Sequence, residues 1–296
     1  MPRFFLATAT LLLSASSAYP QNPRLTTATQ QIQKRIADSG AEVAIALHSL
    51  DGQTEWFYHA DEPFHAASTM KIPVMIELFH QADEHKVRTD EKIVVLNEFH
   101  SIVDGSVYQL NPADDSETAL YQAEGQTRTL TQLCVLMIVE SSNLATNLLI
   151  DKLGIENIRA TVHAYGASGM NLLRGVEDGK AFERGMNNTT TARALLTLLT
   201  AIAGGEAVNT MYSKVMVDIL EQQKFNDGIP AGLPHDIHVA HKTGEISKIN
   251  HDAAIVYAQR PYILVVLVRG IADQKVSSQL IADISRTLYP VMESGH

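Results

Sequence analysis

Three short stretches of this chain carry residue types that could do covalent chemistry together. Ser68 and Lys71, in Ser68-Thr69-Met70-Lys71, open a helical pattern that continues through Ile76-Glu77-Leu78-Phe79. A spacing of i, i+3 sets both side chains on one helix face, one turn apart. At a helix start the unpaired N–H groups favour a developing anion and disfavour an ammonium. A neutral lysine beside a serine hydroxyl can take its proton and leave a nucleophile. Alone, the same pair also fits a capping serine and a solvated lysine.

The second stretch, Ser141-Ser142-Asn143, lies between one apolar helical segment and another, Leu144 to Leu153. At such a junction Ser141 can relay a proton to a leaving nitrogen, and Asn143 can hydrogen-bond an amide. An ordinary N-cap for the second helix fits the residues as well. The third, His241-Lys242-Thr243-Gly244, ends a strand-like run. There Lys242 is a fixed positive charge for a carboxylate, and Gly244 lets a ligand approach the backbone. A strand end with a turn glycine is the plainer account.

Positioning these groups needs a scaffold, and the hydrophobic pattern supplies one. Leu25 to Ser39 reads as a helix stopped by Gly40. Glu42 to Ser49 and Thr54 to Tyr58 read as strands around Asp51-Gly52, a hairpin turn. Helical patterns dominate from about Pro63 to Gln223. Three strand-like runs follow, Ile237 to Lys242, Asp252 to Ala258 and Tyr262 to Val268, and Val276 to Leu288 closes the chain as an amphipathic helix. This order implies an α/β (α+β) fold: a five-stranded antiparallel sheet flanked by helices, plus a mainly helical lobe, with the site in the cleft between them. The sheet lobe is expected over about 25–62 and 224–296, and the helical lobe over about 63–223.

The 296 residues are 45% hydrophobic and 19% charged, enough to bury a sizeable core. A net charge of −10 disfavours a general nucleic-acid binder, which needs surplus Lys and Arg. One cysteine, Cys134, excludes an intrachain disulfide and reads as a buried small hydrophobe. Arg3, the apolar run Phe4 to Leu13 and Ser16-Ser17-Ala18 have the order of a cleaved export signal over residues 1–18, which makes 19–296 a periplasmic or secreted mature chain. That apolar run is too short to anchor the chain by crossing a membrane. His235, His238 and His241 suggest a metal run, but strand alternation turns 238 and 241 to opposite faces, and no metal or other cofactor is expected.

In order, S-x-x-K, S-x-N and K-T-G resemble the penicillin-recognising serine hydrolases, particularly class A β-lactamases, over nearly the whole mature chain. Arg174-Gly175-Val176-Glu177-Asp178 looks like a divergent branch of them. The resemblance implies that Ser68 attacks a β-lactam carbonyl with Lys71 as base and Ser141 as proton relay. Lys242 and Thr243 would hold the substrate carboxylate, and Asn143 its acylamide side chain. The oxyanion hole would be the backbone N–H groups of Ser68 and of Glu245, the residue after Gly244. Glu177 is the expected deacylation base. The family's Asn four residues after that Glu is Ala181 here, whereas Glu183 does have Asn187 at that distance, so the register has two solutions. The second motif carries Ser142 where class A enzymes usually have Asp.

A surplus of chain over Asn97 to Arg128, including the acidic run Asp114-Asp115-Ser116-Glu117, is expected at the cleft rim, with Tyr108 or Tyr121 as an aromatic wall. A monomer is implied. Two other activities stay open on these residues: a D,D-peptidase acting on peptidoglycan peptides, and a penicillin-binding or sensing protein that is acylated and barely turns over.

Overall fold

The computed structural model describes residues 23–293; the expected export signal lies outside them. Five strands form one antiparallel sheet: β1 (Glu42–Ser49), β2 (Glu55–Tyr58), β3 (His238–Ile246), β4 (Ile249–Tyr257) and β5 (Tyr262–Arg269). Their order is β2-β1-β5-β4-β3, so strands from the two ends of the chain meet in the middle. Side-chain alternation splits the sheet cleanly. Val43, Ile45 and Leu47 of β1, with Leu264, Val266 and Val268 of β5, face one core. Ala44, Ala46, Ile263, Val265 and Leu267 face the other.

Two helices cover the first face. They are α1 (Pro23–Ser39), through Ile32 and Ile36, and α9 (Gln274–Glu293), through Leu280, Ile281, Ile284 and Leu288. On the second face lie α2 (Lys71–Asp83), α3 (Leu130–Val139), α4 (Asn143–Leu153), α5 (Ile155–Ala164), α7 (Ala192–Ala203) and α8 (Thr210–Leu220). A short α6 (Gly179–Glu183) lies in the loop before α7. Each fully buried Leu, Ile or Val contributes about 1.5–3 kcal/mol, so the two cores set the sheet's register. Cys134 is buried in α3, and burial pushes its thiol up to about 12. Among the described residues no helix is long and apolar enough to cross a membrane.

Of the boundaries that differ from the sequence expectation, two have a plain physical reason. β3 runs on through Thr243, Gly244 and Glu245 to Ile246, so the Lys-Thr-Gly motif is mid-strand rather than a strand end. The turn after it is only Ser247-Lys248, with Lys248 at φ 59°; it lacks the Gly that usually marks a two-residue hairpin. The closing helix passes through Pro290 to Glu293. Pro290 is exposed, so the carbonyl it frees meets water, while Val291 and Met292 are buried and hold the last turn.

The segment 97–128 has no α-helix. It folds as a hairpin of Phe99–His100 with Val107–Tyr108, then 3-10 turns at Pro112–Asp114 and Tyr121–Ala123. Asn97 closes the base of that hairpin by accepting from Leu110 N at 2.8 Å and donating to Leu110 O at 2.9 Å.

Gly232 sits against α9. A Cβ there would stand 2.2 Å from Ala282 O and 2.8 Å from Arg286 N, backbone atoms that cannot step aside. Gly232→Ala is expected to cost about 1–3 kcal/mol, read as a melting midpoint several degrees lower. Gly179→Ala, which meets nothing within 4 Å, should not lower it.

Candidate active site

Ser68 lies in the 3-10 turn Ala67–Met70, which runs directly into α2. Ala67 is left-handed at φ 45°. Its N–H donates to His65 Nδ1 at 3.0 Å, and His251 Nε2 lies 2.9 Å from His65 O beneath the turn. Burial holds His251 at about 4, so it is neutral at pH 7. Neither histidine was identifiable from the sequence, because only the sheet brings β4 under this turn.

Lys71 has no solvent exposure. Its Nζ donates to Ser141 O at 2.6 Å, Asn143 Oδ1 at 2.9 Å, Ser68 Oγ at 3.0 Å and Ser141 Oγ at 3.2 Å. Burial lowers its pKa to about 7, against the pull of the Asp115 and Glu177 carboxylates. A neutral amine has two N–H groups and one lone pair. The two carbonyl oxygens can only accept, so they take the N–H groups and leave the lone pair for the Ser68 hydroxyl proton.

Ser141 also has left-handed backbone, φ 57°, which turns its carbonyl toward Lys71. Lys242 Nζ donates to Ser141 Oγ at 3.0 Å and to Thr243 O at 2.9 Å. It too is fully buried, and burial, then the nearby Lys71, pushes it well below the usual lysine range. Ser68, Ser141, Asn143, Thr243 and Glu245 line one cleft of about 300 Å³, with Phe225 also on its wall. Lys71 and Lys242 lie beneath that lining. The three distant motifs thus converge on one pocket.

Gly244 is what lets them meet. A Cβ there would lie 3.1 Å from both Ser68 N and Thr69 N and 3.2 Å from Ala67 Cβ. Strand β3 therefore runs against the Ser68 turn with no side chain between, which sets the backbone at Glu245 beside that of Ser68.

Glu177 reaches the same network through Asn143, whose Nδ2 donates to Glu177 Oε1 at 2.7 Å. Burial raises the Glu177 pKa, against hydrogen bonds from Asn143 and the Asn111 backbone. Its φ is 60°, and Asn147 fixes the preceding residue, accepting from Val176 N at 2.7 Å and donating to Val176 O at 3.0 Å. Glu183 is exposed on α6, and Asn187 Oδ1 is engaged by Arg174 at 3.1 Å. The residue after Glu177, Asp178, is buried and clamps the 97–108 hairpin: it accepts from Ser101 Oγ at 2.8 Å and Ile102 N at 3.0 Å, and also from Ala181 N at 3.1 Å.

Both expected wall tyrosines turn their hydroxyls inward. Tyr108 OH donates to Val176 O at 3.3 Å and Tyr121 OH to Asp115 Oδ2 at 2.9 Å, with both rings packed on the core. The cleft's aromatic comes from Phe225 instead, while Asp114 and Ser116 do bring the 97–128 segment to the rim. His241 is taken up by Asp252 Oδ1 at 2.9 Å and Asn226 Oδ1 at 3.1 Å; His235 and His238 are exposed.

A buried lysine against a serine, on a helix that starts under a five-stranded antiparallel sheet, defines a serine–lysine hydrolase architecture. The chain belongs to the β-lactamase enzyme family, whose model matches residues 27–292. It is 27% identical over 245 residues to a β-lactamase of Bacillus licheniformis, covering 78% of this chain and 73% of that one. It superposes on the structure of PBP-A with a TM-score of 0.79 at 27% identity, covering 91% and 97% of the two chains. A point mutant of PBP-A, solved as an acyl-enzyme complex with penicillin G, fits with a TM-score of 0.78, also at 27% identity and the same coverage.

Gly244→Ala should keep the fold but push β3 off the Ser68 turn. Acylation by a chromogenic cephalosporin is expected to fall by up to about 10²-fold at a near-unchanged melting midpoint; an unchanged rate would show that the close contact is not needed.

Proposed function

We propose that the protein hydrolyses the amide bond of β-lactams through an acyl-enzyme on Ser68. The observation that carries this reading is the continuous chain of short contacts from Ser68 through Lys71 and Asn143 to Glu177, which ties a nucleophile to two bases.

The steps follow from the geometry. Ser68 gives its proton to the neutral Lys71, and its Oγ bonds to the lactam carbonyl carbon. The oxyanion is held by the N–H groups of Ser68 and Glu245; one such donor is worth about 10²–10³ in rate. The carbon–nitrogen bond breaks as the proton passes from Lys71 through Ser141 to the leaving nitrogen. Thr243 and Ser141 meet the substrate carboxylate, and Lys242 attracts it from behind them. An amide nitrogen carries two N–H groups, so Asn143 can hold Glu177 with one and the acylamide carbonyl with the other. Glu177 then takes a proton from water, the hydroxide attacks the ester, and Ser68 recovers its proton as the acid leaves.

The second reading is a protein of the same acylation chemistry that deacylates slowly, including a D,D-peptidase. It rests on Ala181, which is buried and has no polar side-chain atom to help Glu177 hold water. Export by residues 1–18 and a monomeric state complete the proposal.

Intact-mass spectrometry with benzylpenicillin separates these readings. Ser68→Ala should form no adduct. Glu177→Gln should acylate and stay acylated, with turnover down by at least about 10³-fold, whereas Glu183→Gln should behave as wild type. Normal turnover by Glu177→Gln would remove it as the base. Stoichiometric acylation of the wild type with negligible release would favour the second reading.

The pH dependence has a definite sign. Acylation needs neutral Lys71, so its rate should rise with pH to a plateau, with a midpoint near 7. Deacylation needs ionised Glu177, whose pKa is raised from 4.5, so its acid limb should lie above 4.5. An acylation midpoint near the ordinary lysine value of 10.5 would rule Lys71 out as the base.

A further inference from the structure

We propose that Asp115 is a positioning residue for the Ser141–Asn143 turn, supplying from the 97–128 segment the carboxylate that the second motif lacks at Ser142. This rests on the acylation chemistry proposed above. Asp115 is 27 residues away from Ser142 in sequence, yet buried beneath it. Its Oδ2 accepts from Asn143 N at 2.8 Å, Leu144 N at 3.0 Å and Tyr121 OH at 2.9 Å, with Ser142 Oγ at 3.5 Å. Its Oδ1 accepts from Glu117 N at 3.1 Å. Three of these partners are backbone N–H groups, which can only donate, so both carboxylate oxygens are used as acceptors.

The first N–H groups of a helix have no partner within it. In α4, Asp115 takes the first two, and Ser142 Oγ takes that of Ala145 at 3.2 Å. The neighbouring Ser116 Oγ donates to Glu140 O at 2.5 Å, so the same segment grips the turn on both sides. What the turn holds is the chemistry: Ser141 O and Oγ and Asn143 Oδ1 surround Lys71, and Asn143 Nδ2 holds Glu177. Asp115 therefore acts through Asn143 on both bases. It is also one of two carboxylates facing Lys71, with Glu177 the other; the Lys242 amine lies on the opposite side, and Ser68, Ser141 and Asn143 are neutral.

Asp115→Asn keeps the size, removes the charge and replaces one accepting oxygen by an NH2 that faces a donor. Two readouts test it: the acylation rate with a chromogenic cephalosporin, and the titration of Lys71 followed by NMR in lysine-labelled protein without ligand. Above the wild-type midpoint of about 7, where Lys71 is neutral in both proteins, acylation should fall by about 10- to 100-fold because the turn holding Ser141 and Asn143 is loosened, and Lys71 should titrate at lower pH than in the wild type because one stabilising anion is gone. A variant that only melts earlier, with wild-type acylation and Lys71 titration, would overturn the proposal. If Asp115→Asn does not fold, Tyr121→Phe removes one donor to Asp115. A several-fold loss of acylation then supports the proposal, and wild-type behaviour in both readouts overturns it. A wild type that forms no lactam adduct would sink the functional reading alone, and the Lys71 titration would still decide the role of Asp115.

Discussion

An amine sealed from water has to be surrounded by oxygens, and Lys71 sets that requirement for the whole site. Burying it costs free energy unless acceptors come to it. They come from the turn at Ser68 and from the junction of α3 and α4. That demand explains where the backbone is strained. Among the described residues, three of the seven non-glycine positions with left-handed φ are Ala67, Ser141 and Glu177. Such conformations cost about 1–3 kcal/mol each and persist only where the surroundings hold them. Here Ser141 turns its carbonyl to the amine, Ala67 leads into the Ser68 turn, and Glu177 reaches the amine through Asn143.

The second lysine makes this arrangement a matter of charge as well as shape. Lys71 and Lys242 both donate to Ser141 Oγ from fully buried positions. Two ammonium groups on one hydroxyl repel strongly in a low dielectric. Carboxylates answer them from both sides, Asp252 toward Lys242 and Asp115 and Glu177 toward Lys71. The pocket is thus built so that one of the two amines gives up its proton readily, which is the state a base needs before any substrate arrives.

The sheet, the flanking helices and the three motifs were legible because each is written in local spacing. Short continuous apolar runs marked β1 and β5, and an i, i+3 step marked Ser68 and Lys71. The extent of β3 was not, since Ile246-Ser247-Lys248-Ile249 has no glycine to announce its turn. Tyr108 and Tyr121 were misjudged because the direction of a ring is decided by what it packs on. Asp115 was hidden for the same reason. An aspartate in an acidic run looks solvated until the chain brings two helix N–H groups to it. His65, His251 and Asn147 likewise gain their roles only from partners far away in sequence or on another element.

The clamp at Asp178 has a bearing on how such a protein can be recombined. This carboxylate is sealed between two segments of chain, accepting from Ser101 and Ile102 on one side and Ala181 on the other. A chimera that imports the 97–108 hairpin from a relative without residues 177–181 leaves the buried Asp178 carboxylate without the donors from Ser101 and Ile102. Exchanging the two pieces together leaves its donors in place. They therefore form a single heritable module, although 77 positions separate Ser101 from Asp178.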